Sequence, residues 1–177
     1  MSDPAGRVSL REPRPEDAAA LAALPREAEI VRMYGGTLTG GPERTLANAE
    51  EEIRRLTEAP FGRIICLDDR AVGGVRLHSL NSQDRRARLA IGLFASGDTG
   101  RGIGQQAIRL TLDHAFGPMD LHRVDLRVLA FNERAIRCYL ACGFVHEGTE
   151  REAALIDGTW HDDLIMGILR AEHLARG

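Results

Sequence analysis

From Thr99 to Ala107 the chain reads Thr-Gly-Arg-Gly-Ile-Gly-Gln-Gln-Ala, a glycine-rich turn running straight into an amphipathic segment. Glycines let backbone approach a ligand closely, and the first amides of a helix have no partners within it. Together with the positive end of the helix dipole, such amides hold an anion such as pyrophosphate. The spacing therefore predicts a phosphate cradle made by Thr99, Gly100, Arg101, Gly102, Ile103, Gly104 and Gln105. The same glycines are also a fragment of a dinucleotide fingerprint, or simply a strand-to-helix connection.

A second group of residues follows downstream. Arg123 to Val128 alternates polar and apolar residues like a strand, and Asn132 to Leu140 reads as a helix closed by Gly143-Phe144. Asn132 suits a helix cap. Tyr139 is either a core aromatic with a satisfied hydroxyl or a proton donor: a phenol near pKa ~10 can protonate a thiolate whose thiol lies near ~8.5.

The glycine turn, the strand, Asn132 and Tyr139 seven residues beyond it resemble the GNAT superfamily of N-acetyltransferases, whose phosphate motif is Gln/Arg-x-x-Gly-x-Gly/Ala. Gly102 and Gly104 fill the glycine positions, and Thr99 stands where Gln or Arg is usual. The resemblance runs from Val8 to Leu169, and the tail with Glu147 to Glu152 and Asp157 to Asp162 is similar to the Rim-type subgroup, which acetylates ribosomal-protein N-termini, and to its small-amine relatives. It implies an α/β fold: a mixed, mostly antiparallel sheet of about seven strands, splayed between the fourth and fifth, with about four helices. It also implies acetyl-CoA as co-substrate, no metal, and direct attack by a primary amine or peptide N-terminus, and it leaves room for a homodimer.

By the same resemblance, a main-chain N–H near the end of the fourth strand polarises the thioester, which places the donor at Phe94 with Leu93 and Ala95 beside it. Asn132 would also bond the pantetheine arm, and Tyr139 would be the general acid. Many relatives carry a Glu before the Ile/Leu-Gly of the fourth strand, where this chain has Ala90. The remaining candidates for the base are His78, whose ordinary pKa near ~6.5 suits the task, and Glu29, Glu150 and Asp162. Glu29, Met33 and Tyr34 fall in the substrate-covering region. Asp157, Asp162 and Asp163 near the last hairpin are either attractors of a cationic amine or solvated turn residues.

The elements that must position these groups follow from periodicity. Val8–Arg11 reads as a strand, Pro15-Glu16-Asp17 opens an alanine-rich helix ended by Pro25, and Pro42 starts a helix halted at Pro60. Strands follow at Phe61–Leu67, Ala71–Ser79 and Arg86–Phe94. After the glycine turn, a helix with Ile103, Ala107, Leu110 and His114 in one stripe, widened by Ile108, Leu112 and Ala115, runs to Gly117-Pro118. Two last strands cover Phe144–Arg151 and Thr159–Leu169.

With 177 residues, 44% of them hydrophobic, the chain makes one domain over residues 1–177 with its core at about 8–170. Its net charge of -3 lacks the basic excess of a nucleic-acid binder. The absence of a long apolar run or leader pattern predicts a cytoplasmic protein without a membrane span. Cys66, Cys138 and Cys142 show no zinc spacing and read as free thiols, the last two on one helix face. Two other functional classes fit parts of the pattern. One is a non-catalytic acyl-CoA-binding module, which would not need Tyr139. The other is a dinucleotide-binding domain with Asp125 on a ribose, which the three antiparallel-looking strands before the turn disfavour.

Overall fold

The computed structural model describes residues 6–37 and 43–176, so Pro42 lies outside the described residues. Seven strands, β1 (Val8–Arg11), β2 (Phe61–Leu67), β3 (Arg70–Asn81), β4 (Arg86–Leu93), β5 (Arg123–Leu129), β6 (Val145–Ile156) and β7 (Thr159–Leu169), form one sheet. Their order is β1-β2-β3-β4-β5-β7-β6. Every neighbouring pair is antiparallel except β4 and β5, which are parallel. That pair holds together only from Arg86↔Arg123 to Arg88↔Asp125. Beyond Arg88 the two strands part, and β4 runs on to Leu93 paired only with β3.

The helices are α1 (Glu16–Ala22), α2 (Ala28–Met33), α3 (Leu46–Glu58), α4 (Ile103–Phe116), α5 (Glu133–Ala141) and α6 (Arg170–Leu174). Two short ones, α2 and α6, add to the four that periodicity announces. Thr45 starts α3, its hydroxyl accepting the Asn48 amide at 3.1 Å, a hydrogen bond that relieves one unpaired donor of the first turn.

Strand alternation divides the sheet into two faces. Val75, Leu77, Leu89, Leu126, Val128 and Met166 turn one face toward Ile103, Ala107, Ile108 and Leu112 of α4 and form the main core. Each such buried aliphatic side chain stabilises the fold by about 1.5–3 kcal/mol. The buried seam of α4 differs from the stripe expected for it. Leu110 is exposed, and His114 stacks on Phe61 with ring centroids 4.4 Å apart, while Thr111 and Phe116 are buried in their stead. On the opposite face Ile64 and Cys66 of β2 pack under α1 and α3, with Ala18, Leu21, Ala49, Ile53 and Leu56. The β3–β7 part of that face carries Arg76, His78, Arg88, Asp125, Arg127 and Asp163, because each is out of phase with the core residues beside it in its strand.

Candidate active site

The parting of β4 and β5 opens a cleft of about 810 Å³ that passes through the sheet, from the α4 and α5 side to the opposite face. On the helix side it is lined by the glycine turn. Gly102 takes φ 77°, a left-handed conformation that costs any residue with a Cβ, and so turns the chain sharply into α4. No side chain caps α4, and its first helical bond runs from the Gln106 amide to the Gly102 carbonyl at 3.1 Å. The amides of Ile103, Gly104 and Gln105 thus precede the helical ladder, as an anion site requires. A Cβ on Gly104 would meet nothing closer than Cys138 Sγ at 3.9 Å, so that position faces open space. This geometry fits a pyrophosphate.

Thr99, Gly100, Gly102, Ile103, Gly104, Gln105, Asn132 and Tyr139 all line the cleft, as do Met33, Tyr34 and His78. Phe94, Ala95, Arg101 and Glu29 are not part of its wall. The Thr99 hydroxyl donates to Ser96 O at 2.6 Å, and Arg134 reaches both Thr99 Oγ1 and Glu29 Oε1 at 3.2 Å. Arg101 bonds Asp98 at 3.3 Å.

The main-chain amide expected as donor is already engaged. The Phe94 amide donates to Val72 O at 2.9 Å, and its side chain is buried, so this N–H is spent on the ladder with β3. Alternation along a strand then turns the Leu93 amide the other way, into the splay. There it donates to the Tyr34 hydroxyl at 2.9 Å. The Tyr34 ring lies against Gly92, where a Cβ would fall 2.7 Å from the hydroxyl oxygen.

Helix α2, absent from the periodicity reading, spans the opening. Glu27 Oε1 accepts the Ser96 amide at 3.1 Å on the β4 side. On the α5 side, Asn132 Nδ2 reaches Met33 O at 3.4 Å, and the Arg32 guanidinium lies 4.5 Å above the Phe131 ring. The Asn132 side chain also caps α5, accepting the Ala135 amide at 3.2 Å.

Tyr139 packs edge-on against Phe144 with centroids 5.8 Å apart, and no hydrogen-bond partner of its hydroxyl occurs among the described residues. Burial, with smaller contributions from Tyr34, Cys138 and Cys142, pushes its phenol well above the ordinary value of 10. Tyr139 therefore keeps its proton across the physiological range.

On the far face, His78 Nδ1 is 2.9 Å from Ser79 Oγ, and burial, Arg76 and Arg88 hold its imidazole below 6.5. Arg88 Nε donates to Asp125 Oδ1 at 2.6 Å where the two strands part, which ties up Asp125. Arg127 is paired with Glu150 at 2.5 Å. The sequence reading named Leu93 only as a neighbour of Phe94, and it passed over Arg88, Arg127 and Arg134. Strand parity, counted from the buried leucines of β4, is the signal that would have selected Leu93 over Phe94.

This splayed sheet with its glycine cradle agrees with what the sequence matches. Residues 7–145 match the acetyltransferase (GNAT) domain family. The chain is 30% identical to the probable N-acetyltransferase YjcK of Bacillus subtilis (strain 168) over 133 residues, which are 75% of this chain and 73% of that protein. It is 34% identical to the spermidine N(1)-acetyltransferase of Vibrio cholerae over 105 residues, 59% of this chain and 60% of that one. The crystal structure of a Vibrio cholerae spermidine N-acetyltransferase in complex with CoA and spermine superposes with a TM-score of 0.78 at 26% identity, covering 94% of this chain and 98% of that one. The protein belongs to the GNAT acetyltransferase family and is an acyltransferase. Among its described residues no helix is long and apolar enough to cross a membrane.

Proposed function

We propose that this chain transfers the acetyl group of acetyl-CoA to a primary amine, of a small molecule or of a peptide N-terminus as in the Rim-type subgroup, by direct attack within a ternary complex. The observation that carries the reading is that one cleft joins an uncapped, glycine-built helix start, a strand amide turned into the splay and a protonated tyrosine. Pyrophosphate binds the amides of Ile103, Gly104 and Gln105. The pantetheine arm follows the opening past Asn132. The Leu93 N–H, rather than that of Phe94, donates to the thioester oxygen as negative charge grows there. A main-chain amide fixed by the β3–β4 ladder does this without reorganising.

The amine enters from the opposite face and supplies its own electron pair, so no acyl-enzyme is required. Cys138 lies in the cleft wall on the α4 side, where it packs beside Gly104 and Cys142. When the C–S bond breaks, Tyr139 gives its proton to the leaving thiolate. The test is an acetyl-CoA-dependent assay against a panel of small amines and peptides, read by mass spectrometry. Acetylated product together with released CoA is expected, and acetyl-CoA binding without any product would leave a non-catalytic binding module in its place.

A further inference from the structure

Two carboxylates line the cleft, those of Asp98 and Asp163. Asp98 is held by Arg70 at 2.7 Å and Arg101 at 3.3 Å, close to the phosphate cradle. Asp163 has neither a hydrogen bond nor an ion pair among the described residues, and it stands on the far face, where the acceptor must enter.

Register fixes its height in the cleft. Arg88 is paired with Asp125, so Gly92 lies at the level of Leu129, across the splay. Leu129 is paired with Asp163, and Asp163 with Glu150. Asp163 thus sits one strand beyond the lip formed by β5, about 4.8 Å from it, and level with the Gly92–Leu93 segment that carries the thioester donor. Its side chain projects on the same face as Ala90, on the far side of the sheet from the α4 core. The charged groups that face it are Arg127 from β5 and Glu150 from β6, with Arg88 and His78 across the opening.

On the acetyl-transfer reading above, we infer that Asp163 binds the acceptor's ammonium and takes its proton, and that the acceptor is an amine with a single positive charge. The ammonium proton passes to an Asp163 oxygen directly or through one water, leaving the nitrogen lone pair free for the thioester carbon. Among the described residues that line the cleft, Asp163 carries the one unpaired carboxylate, and it stands on the same face as the guanidiniums of Arg88 and Arg127. Those arginines already engage the neighbouring carboxylates, Asp125 and Glu150, so neither of these is free to hold a second ammonium. A polar or anionic remainder, such as the carbonyl of an amino-acid amide, fits beside the arginines. Burial raises the Asp163 carboxyl above 3.8, with Arg127 opposing and Glu150 adding to the rise, which brings it closer to the working range of a base.

The experiment compares alaninamide with spermidine as acceptors for the full chain and for Asp163→Asn, Asp163→Glu and His78→Ala, with acetyl-CoA affinity measured by calorimetry as a check on folding. The parent should prefer alaninamide, with kcat/KM rising through the Asp163 pKa to a plateau below the amine's own pKa. Asp163→Asn should lower kcat/KM by at least tenfold, with unchanged acetyl-CoA affinity, and replace the plateau by a steady climb with pH. Asp163→Glu should restore part of the plateau, and His78→Ala should keep it. A parent that prefers spermidine, an Asp163→Asn profile like the parent's, or a plateau lost in His78→Ala would each overturn the inference. If the parent acetylates no amine at all, the acetyl-transfer reading falls and this assignment falls with it. If amines are acetylated regardless of Asp163, only the assignment fails.

Discussion

The Tyr34 hydroxyl accepts the Leu93 amide hydrogen at 2.9 Å, so a side chain from the far side of the cleft occupies a strand N–H that the splay sets free and that the proposed reaction needs for the thioester oxygen. The two acceptors cannot share that donor. On the proposed reading, binding of acetyl-CoA must displace the hydroxyl, whereas free CoA lacks the thioester carbonyl that would take its place. Tyr34→Phe keeps the ring against Gly92 and removes only the competing acceptor. A net hydrogen bond is worth about 0.5–1.5 kcal/mol, so acetyl-CoA should bind roughly two- to tenfold more tightly to the variant while CoA affinity stays the same. Calorimetric titration with both ligands checks this, and an equal change for both would show that Tyr34 acts on the cleft as a whole.

Gly104→Val tests the cradle. The open space around the Gly104 position means that added methyl groups meet ligand and not protein. Removing a glycine from a helix does not by itself destabilise it. Acetyl-CoA affinity should therefore fall by at least tenfold with an unchanged Tm of the ligand-free protein. Gly102→Ala should behave differently, because Gly102 lies at φ 77°. The left-handed strain, about 1–2 kcal/mol, should lower Tm as well as affinity.

Much of this arrangement could be read from the sequence. The strands Val8–Arg11, Phe61–Leu67 and Thr159–Leu169 fall where the sequence reading puts them, because each is a short run of strand-forming residues against a core, with a break in the pattern at its ends; Phe61–Leu67 packs on both faces. The sharp glycine turn into α4 was legible from Gly100, Gly102 and Gly104, although those glycines alone did not separate a phosphate cradle from a plain strand-to-helix connection. Helix α2 was not: six residues without a capping side chain carry no periodic signal, and its position is set by tertiary contacts to Ser96, Phe131 and Asn132. The proposed donor differs by one residue from the expected one for a related reason. Alternation makes neighbouring amides point in opposite directions, so locating a site to within a residue does not decide which N–H faces it. Asp163 looked like one of several turn carboxylates, since only the pairing of β5, β7 and β6 brings it level with Gly92 while Glu150 and Asp125 are taken up by arginines.

Acid should loosen the first strand. Arg11 grips Asp17 through two bonds of 2.6 and 2.8 Å, and the Arg14 amide adds a third at 2.7 Å, tying β1 to α1. The Arg11 hydrogen bonds hold the buried Asp17 carboxyl below 3.8, against the opposing effect of burial. A carboxyl whose folded pKa is depressed contributes stability that is fully present above its unfolded pKa and is lost as pH falls through the folded value. Asp17→Asn should thus cost about 2 kcal/mol at neutral pH, within the range for breaking a charged hydrogen-bonded pair. Denaturant melts at a series of pH values should show this difference shrinking below about pH 4. A constant difference down to pH 2 would mean that packing, rather than charge, carries it.

Tyr139→Phe separates proton donation from packing. The ring's contact with Phe144 survives the substitution, and the hydroxyl has no hydrogen-bond partner to lose among the described residues, so neither stability nor acetyl-CoA affinity should change appreciably. Turnover should drop by roughly 10²-fold, the low end of the range for general acid catalysis. The pH profile gives an independent reading. Because burial pushes the phenol up from 10, Tyr139 stays protonated wherever the enzyme works, and the parent should show no loss of rate between pH 7 and 10 from this group. In the variant the thiolate must leave unprotonated or take its proton from water, so the deficit should shrink for an acyl donor with a more acidic leaving thiol. Rates measured with acetyl-CoA and with such an analogue, on parent and variant, decide the matter. An equal deficit for both donors would mean that Tyr139 positions the ligand without giving up its proton.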